Sequence, residues 1–278
     1  MPKALLYLAC FIVVQIVSAF GVNVVTHFFF PEHIDDTTTS ILITTTISSV
    51  VLVLLFLLTG WCNISRKYLR SHPWGMLAWC ALLAVGMVLP LTWLEEQLPD
   101  SWQVNIISTE MAGILKSTEG YFVVCMLAPL MEEVLFRGAM IPALLKWWEN
   151  RTTPMKARWA AIGVSALLFS LAHMNPAQIP HALIVGVLLG WLYTKTHSIA
   201  PGLLIHWINN SAAYVAAKMF PLIPIDAKLE VYFDGNDMAE AQAIISSMLI
   251  ALPALYQIIV TRNNPEYNRS ITHHTTHR

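Results

Sequence analysis

The chain has 278 residues, of which 56% are hydrophobic and 12% are charged, and its formal net charge at pH 7 is −1. Because an ordinary soluble domain carries roughly 25% charged residues, this composition argues against a soluble domain and predicts an integral membrane protein surrounded by the lipid bilayer. A net charge so near zero also argues against a nucleic-acid partner.

Apolar runs that could each cross a bilayer follow one another along the whole chain. A membrane-spanning helix needs about 20 such residues. Lys3 and the run after it imitate a signal peptide, but the run continues to Phe30 without a small-residue cleavage site, so it is interpreted as the first membrane helix. About eight spans are predicted, at 4–30, 40–60, 74–94, 120–147, 158–174, 179–195, 199–218 and 242–261. The predicted fold is an all-α, polytopic membrane bundle of one domain, 1–278, with a polar intramembrane cavity.

Basic and acidic residues alternate between the loops that join these spans. Lys and Arg collect in cytoplasmic loops, and the alternation closes when both termini are cytoplasmic. The compact chain favours a bacterial inner (plasma) membrane over an endoplasmic reticulum membrane. The basic loops hold Arg66, Lys67, Arg70, Arg151, Lys156, Lys195, Arg262 and Arg269, and the acidic loops hold Glu32, Asp35, Asp36, Glu95, Glu96, Asp100, Asp226, Glu230, Asp234, Asp237 and Glu240.

The four cysteines and the three C-terminal histidines are potential metal ligands, but no metal site is expected at either set. The cysteines Cys10, Cys62, Cys80 and Cys125 lie far apart without a CxxC pair, so we expect free, buried thiols. The C-terminal "THHTTHR" contains His273, His274 and His277, and a polar, disordered tail is expected there.

The stretch "MEEVLFRG" (131–138) places three ionisable residues inside an apolar span. A central charge costs about 2.5–3.5 kcal/mol on insertion scales, so such residues face a protein interior or a water-filled cavity. Glu133 and Arg137 are one helical turn apart and can form an ion pair. Glu132 is left without a local cation and can take a proton from water. The alternative is a purely structural salt bridge, but the additional glutamate favours a functional site.

Two further stretches place polar side chains within predicted spans. In "FSLAHMN", Phe169 lies one turn before His173 and can orient its imidazole. In "HWINN", His206 and Asn210 share a helix face, and two donors in a dry cavity suit a developing oxyanion. His181 is interpreted as interfacial.

These three stretches together supply a carboxylate base, an imidazole and two hydrogen-bond donors on separate helices. The chain offers no serine or cysteine in a nucleophile motif. This set favours hydrolysis by water that a side chain activates directly, and its depth in the bilayer implies a membrane-associated substrate.

The three stretches resemble known motifs. "EEVLFR", "FSLAH" and "HWINN" are similar to the EExxxR, FxxxH and HxxxN motifs of the CPBP (Abi) family, which comprises type II CAAX prenyl proteases and bacterial relatives, including bacteriocin-processing and immunity proteins. The segment "GVLLGWLYTKTHSIAPGLLIHWINN" (186–210) also resembles that family's connection between its second and third motifs. The resemblance covers 120–215, which we expect to be the catalytic core.

The resemblance implies a role for each motif position. Glu132 would activate water with the help of His173, and His206 with Asn210 would form the oxyanion hole. Glu133, Arg137 and Phe169 would be supporting residues: the first two would position Glu132, and Phe169 would support His173. The family pattern also implies a helical bundle with a membrane-facing cavity, no required cofactor, and peptide-bond hydrolysis in membrane-associated or lipidated, CAAX-like proteins or peptides.

Three alternatives remain open from the sequence. A zinc-dependent protease could use Glu132, His173 and His206 as ligands, although the chain contains no HExxH and Arg137 is nearby. A non-proteolytic membrane scaffold or immunity protein would carry the same pocket, and a transporter would also carry intramembrane Glu and His. The predicted spans also place His173 and His206 roughly 10 Å apart in depth. A later start of the fifth span, beyond Arg158, or tilted or broken helices would remove that difference.

Overall fold

A computed structural model describes residues 2–33, 36–62, 66–99, 102, 108–224 and 227–261. Three histidines and five charged residues discussed above lie outside this described part of the chain: His273, His274, His277, Asp35, Asp100, Asp226, Arg262 and Arg269. The described residues form helices and turns and contain no β-strand.

The helices run in a single series from end to end. They are α1 (Pro2–Phe29), a short 3₁₀ helix (Pro31–His33), α2 (Thr37–Leu58), α3 (Arg66–Arg70), α4 (Trp74–Glu96), α5 (Ser108–Lys116), α6 (Thr118–Gly120), π1 (Tyr121–Leu127), α7 (Ala128–Glu132), π2 (Glu133–Met140), α8 (Ile141–Trp148), α9 (Pro154–Ala172), α10 (Ile179–Thr196), α11 (Ala200–Met219), α12 (Leu229–Tyr232) and α13 (Asp237–Val260). The segments π1 and π2 are π-helical.

The predicted all-α membrane bundle is confirmed. Each of the eight predicted spans coincides with helical structure, and five helices in the described residues are long and apolar enough to cross a membrane: α1, α2, α4, α9 and α13. The segments around the three motifs are also helical, but they carry Glu, Arg, His and Asn. The count of eight crossings therefore stays a prediction.

Two helices, α9 and α13, begin four and five residues earlier than predicted because a polar side chain caps each of them. The Thr153 side chain accepts a hydrogen bond from the Lys156 backbone N–H, so α9 begins at Pro154, where a proline is well tolerated. In the same way Asn236 accepts from the Ala239 N–H and α13 begins at Asp237. Such residues favour helix starts.

Each π-helical segment ends just before a proline. The segment π1 is followed by Ala128-Pro129, and π2 by Ile141-Pro142. A proline ring clashes with the carbonyl four residues earlier and supplies no N–H, so a wider turn relieves the clash. At the end of π1 the Ala128 N–H bonds to the Val123 carbonyl, which leaves the Val124 carbonyl without a backbone donor. The glutamate motif thus lies on an irregular helix, as π-bulges at functional sites often do.

Cysteine burial differs in part from the prediction. All four cysteines are free, and Cys62, Cys80 and Cys125 are buried. Cys10 is only half-buried on α1, whose large apolar side chains, such as Phe20 and Phe28, are mostly exposed. This exposure is expected of a helix whose surface lies against lipid, where an apolar side chain is not penalised.

Candidate active site

Glu133 and Arg137 form an ion pair at the centre of the bundle. Arg137 Nη1 donates to Glu133 Oε1 over 2.8 Å, and neither side chain is accessible. Arg137 Nη2 also donates to the carbonyl of Gly186 on α10 at 3.3 Å, and its guanidinium lies 4.2 Å from the centre of the Phe169 ring on α9. Arginine suits such a site because its planar fork can bond and stack at once. The pair therefore holds π2 against α9 and α10.

Glu132, the preceding residue, has a different environment. Its side chain is 22% exposed, whereas that of Glu133 is 0% exposed. The imidazole of His206, which is itself buried, lies between the two carboxylates. His206 Nε2 is 3.4 Å from Glu132 Oε2, and His206 Nδ1 is 3.4 Å from Glu133 Oε1. One glutamate is thus fixed by arginine, and its neighbour is left accessible beside a histidine.

Gly202 allows α11 to bring His206 this close. A Cβ atom at position 202 would lie 2.7 Å from Glu133 Oε2, which is nearer than real Cβ atoms approach. Gly202 precedes His206 by four residues, so both face π2. The sequence interpretation did not single out Gly202, although its position one turn before the HxxxN motif was a usable signal.

Phe169 brings the two histidine motifs together. Its ring centre is 4.9 Å from that of His173 and 5.7 Å from that of His206, in both cases edge to face. His173 Nδ1 lies 2.9 Å from the Phe169 carbonyl. Because a carbonyl only accepts hydrogen bonds, Nδ1 is the donor in this contact, and in the neutral imidazole Nε2 then has the lone pair.

The structure brings His173 and His206 to the same Phe169 ring, although a depth difference between them was expected. A later start of the fifth span was one explanation, and it is wrong, because α9 begins at Pro154, before Arg158. Tilted or broken helices were the other explanation. The two π-helical segments interrupt the run that carries the glutamates, not α9 or α11, so that explanation stays a prediction.

Asn210 is engaged with π1. Its Nδ2 donates over 3.0 Å to the Val124 carbonyl, the group that Pro129 leaves without a backbone donor. An asparagine amide has two N–H groups, and the second makes no hydrogen bond within the described residues. The sequence interpretation placed Asn210 on the face of His206 but did not identify Val124 as its partner.

The alternative zinc ligands do not form a metal-binding arrangement here. In the described parts of the chain, no three His, Cys, Asp or Glu side chains are placed to hold one metal ion. Both nitrogens of His206 face carboxylates, whereas His173 has only Nδ1 engaged, at the Phe169 carbonyl, an orientation that zinc-ligating histidines also adopt. The zinc-dependent alternative therefore stays a hypothesis.

Two other features lie apart from the motifs. His181, interpreted as interfacial, has Nδ1 3.1 Å from Glu95 Oε1, a pairing of α10 with α4 that the sequence did not suggest.

Clefts of about 410 and about 300 Å³ open between α1 and α2 and are lined only by those helices. Neither cleft contains a motif residue.

The segment that carries the three motifs is similar to membrane-embedded CAAX proteases. Residues 116–212, which contain all three motifs, match the family described as type II CAAX prenyl endopeptidase Rce1-like. The chain is also 26% identical over 157 residues to the membrane-embedded CAAX protease MroQ of Staphylococcus aureus (strain USA300). That alignment covers 56% of this chain and 61% of MroQ. No solved structure gives a significant match.

These similarities agree with the resemblance read from the motifs. Both comparisons point to CAAX proteases, and the matched segment contains all three motifs. Because the match spans 61% of MroQ, the activity, substrates and partners of this chain are treated as proposals below.

Proposed function

We propose that the chain is an intramembrane endopeptidase that hydrolyses peptide bonds with water activated by Glu132. The observation that carries this proposal is the difference between two adjacent glutamates: Glu133 is buried against Arg137, and Glu132 is partly accessible beside His206. A general base must be accessible to water and must keep a fixed position. Glu132 is accessible, and the ion pair of the adjacent Glu133 with Arg137 would keep it in position. Residues 120–215 form the proposed catalytic core.

The proposed reaction starts with proton transfer from water to the Glu132 carboxylate. The water oxygen then bonds to the scissile carbonyl carbon, and the carbonyl electrons move to the oxygen. When the C–N bond breaks, protonated Glu132 returns its proton to the departing amine. His173 assists, since its Nε2 lone pair can accept a hydrogen bond from the same water or from the amine.

His206 and Asn210 are the proposed donors to the oxyanion. His206 lies 3.4 Å from Glu132, so a carbonyl attacked by water on that glutamate is within its reach. Asn210 retains one amide N–H after its bond to Val124. Removal of one oxyanion donor typically costs about 10²–10³ in kcat.

The proposed substrates are membrane-associated or lipidated, CAAX-like proteins or peptides. This part of the proposal rests on the names of the family and of the relative, together with the apolar helices that surround the motifs. We place the protein in a bacterial inner membrane with both termini cytoplasmic, on the loop charges described above.

The proposal is tested with detergent-purified protein and a library of quenched peptides that are lipidated or membrane-inserted. Glu132→Gln keeps the side-chain shape but cannot take the proton, so cleavage is expected to fall by at least about 10²-fold. The matched control is Glu119→Gln, at an exposed glutamate on α6, which should cleave like the wild type. Cleavage by Glu132→Gln at the wild-type rate would show that another group activates the water.

A further inference from the structure

Two basic side chains are held in fixed positions where α9, α10 and α13 meet. Arg158 of α9 donates from Nε to Thr194 Oγ1 of α10 over 2.8 Å, and the Thr194 hydroxyl donates in turn to the Trp191 carbonyl. Lys195 Nζ donates over 2.9 Å to the carbonyl of Ile259, near the end of α13. None of these residues belongs to the three motifs.

Arg158 has nitrogen atoms to spare for a further partner. Within the described residues no carboxylate pairs with Arg158, and its Nη1 and Nη2 atoms make no hydrogen bond. The side chain is half-buried, and its charge is close enough to Lys195 and His197 to act on both. Because the planar guanidinium can donate to two oxygen atoms at once, Arg158 is suited to bind an anion.

The helix ends at this place do not account for the basic side chains. A helix C-terminus carries roughly half a negative charge, and α10 and α13 end here. A helix N-terminus carries roughly half a positive charge, and α9 and α11 begin here. The four partial charges cancel, so attraction to helix ends alone does not explain why Arg158 and Lys195 come together.

Exposed apolar and aromatic side chains border the same place. Trp159, which follows Arg158, is 49% exposed, and Ile259, whose carbonyl accepts from Lys195, is 54% exposed. Arg158 lies in the second turn of α9 and Ile259 in the last turn of α13, and both helices are long and apolar enough to cross a membrane. Tryptophan is enriched where such helices leave the hydrocarbon, at the level of the lipid headgroups. The two cations therefore lie at the depth of lipid phosphates.

We propose that Arg158 and Lys195 form a binding site for the phosphate of an anionic phospholipid. The Nη1 and Nη2 atoms of Arg158 donate to the phosphate oxygens, Lys195 supplies a second positive charge, and His197 borders the site. The acyl chains extend along the exposed apolar side chains of α9 and α13. The loop charges predict that this side of the membrane is cytoplasmic, where basic side chains commonly attract anionic lipids. The inference is independent of the proposed peptidase activity.

The experiment is native mass spectrometry of the detergent-purified full chain with phosphatidylglycerol or phosphatidylcholine of matched acyl chains. The wild type should bind phosphatidylglycerol more tightly than phosphatidylcholine. One basic side chain near a lipid surface typically changes affinity about fivefold, so Arg158→Gln and Lys195→Gln should each weaken phosphatidylglycerol binding by about that factor. Phosphatidylcholine binding should not change. Size-exclusion chromatography checks that each variant is folded, and either variant alone is sufficient for the test.

Two further variants separate a defined site from general surface charge. Lys156→Gln removes an exposed positive charge two residues before Arg158, and it should change phosphatidylglycerol affinity much less. Thr194→Val keeps every charge but removes the hydroxyl that orients Arg158. It should weaken phosphatidylglycerol binding less than Arg158→Gln does, and it should add nothing when Arg158 is already glutamine.

Three results would overturn the inference. The first is equal affinity of the wild type for the two lipids, and the second is an equal loss of phosphatidylglycerol binding in Lys156→Gln and Arg158→Gln. The third is displacement of bound phosphatidylglycerol by inorganic phosphate at constant ionic strength, which would mean that the site takes a free anion instead of a lipid. Retention of the lipid under inorganic phosphate supports the phospholipid.

Discussion

Glu133 and Arg137 share a 2.8 Å hydrogen bond in which neither side chain has any accessible surface. The same arginine bonds to the Gly186 carbonyl and stacks on Phe169, so three helical segments meet at one guanidinium. Glu133 in turn lies 3.4 Å from His206. The ion pair thus holds in place the residue that directly follows Glu132.

Removing the arginine alone should destabilise the bundle more than removing both charges. Arg137→Met leaves the Glu133 carboxylate buried without its cation, which typically costs about 3–5 kcal/mol. In Glu133→Gln/Arg137→Met no unpaired charge remains, so the loss should be smaller by at least about 1 kcal/mol. Unfolding of the purified proteins in detergent measures the loss of stability in the single and in the double variant. Strictly additive effects of the two substitutions would show that the pair is not coupled.

A side chain at position 202 should separate α11 from π2. Gly202→Ala places a Cβ 2.7 Å from Glu133 Oε2, and that oxygen cannot move freely because Arg137 holds the carboxylate. We expect a fall in melting temperature and at least about a tenfold loss of cleavage, because a small displacement of His206 removes it from the site.

The control for this prediction is Gly163→Ala. Gly163 lies inside α9, and a Cβ there meets nothing within 4 Å. Alanine is favoured over glycine in a helix interior by about 1 kcal/mol, so this variant should be as stable as the wild type or slightly more stable. Equal loss of cleavage in both variants would mean that Gly202 has no particular relation to Glu133.

Asn210 should contribute to stability as well as to cleavage. Asn210→Ala leaves the Val124 carbonyl without a donor, because the residue five positions on is Pro129. This carbonyl is partly buried, so the loss should be at most about 1–3 kcal/mol, the cost of a fully buried unsatisfied group. Cleavage should fall by about 10²–10³-fold if the second amide N–H serves the oxyanion. The adjacent Asn209 makes no hydrogen bond within the described residues, so Asn209→Ala is the matched control. Loss of stability with unchanged kcat would restrict Asn210 to helix packing.

The sequence predicted the membrane helices and the pairing of Glu133 with Arg137 because both depend on local spacing. Apolar run length defines a span, and a separation of four residues defines an ion pair on one helix. Pro129 and Pro142 are visible in the sequence, but the spacing of the motif residues was interpreted as that of a regular α-helix. The segments 121–127 and 133–140 are π-helical instead.

Contacts between distant helices could not be predicted in this way. The approach of Gly202 to Glu133, the bond from Asn210 to Val124 and the meeting of Trp207 with Tyr121 each join residues about 70–90 positions apart. They depend on how the helices pack in three dimensions, and one sequence contains no direct signal for that packing. The small size of Gly202 is visible in the sequence, but its partner is not.

Chelation should leave cleavage intact. The three residues that could ligate zinc are Glu132, His173 and His206, and they are not placed to hold one ion. The buried Arg137 guanidinium pairs with the carboxylate next to Glu132, which disfavours a second cation nearby. After incubation with EDTA or 1,10-phenanthroline, we expect kcat/KM within about twofold of the untreated value.

The control for chelation is a zinc peptidase treated in parallel, whose activity must disappear, together with a metal analysis of the purified protein. If this chain loses cleavage with the chelator and regains it on addition of zinc, a conformational change must bring His173 and His206 to a common ion. In that case Glu132→Gln, His173→Ala and His206→Ala should each lower the zinc content. If they lower cleavage while zinc content stays negligible, the three side chains act on water and the peptide directly.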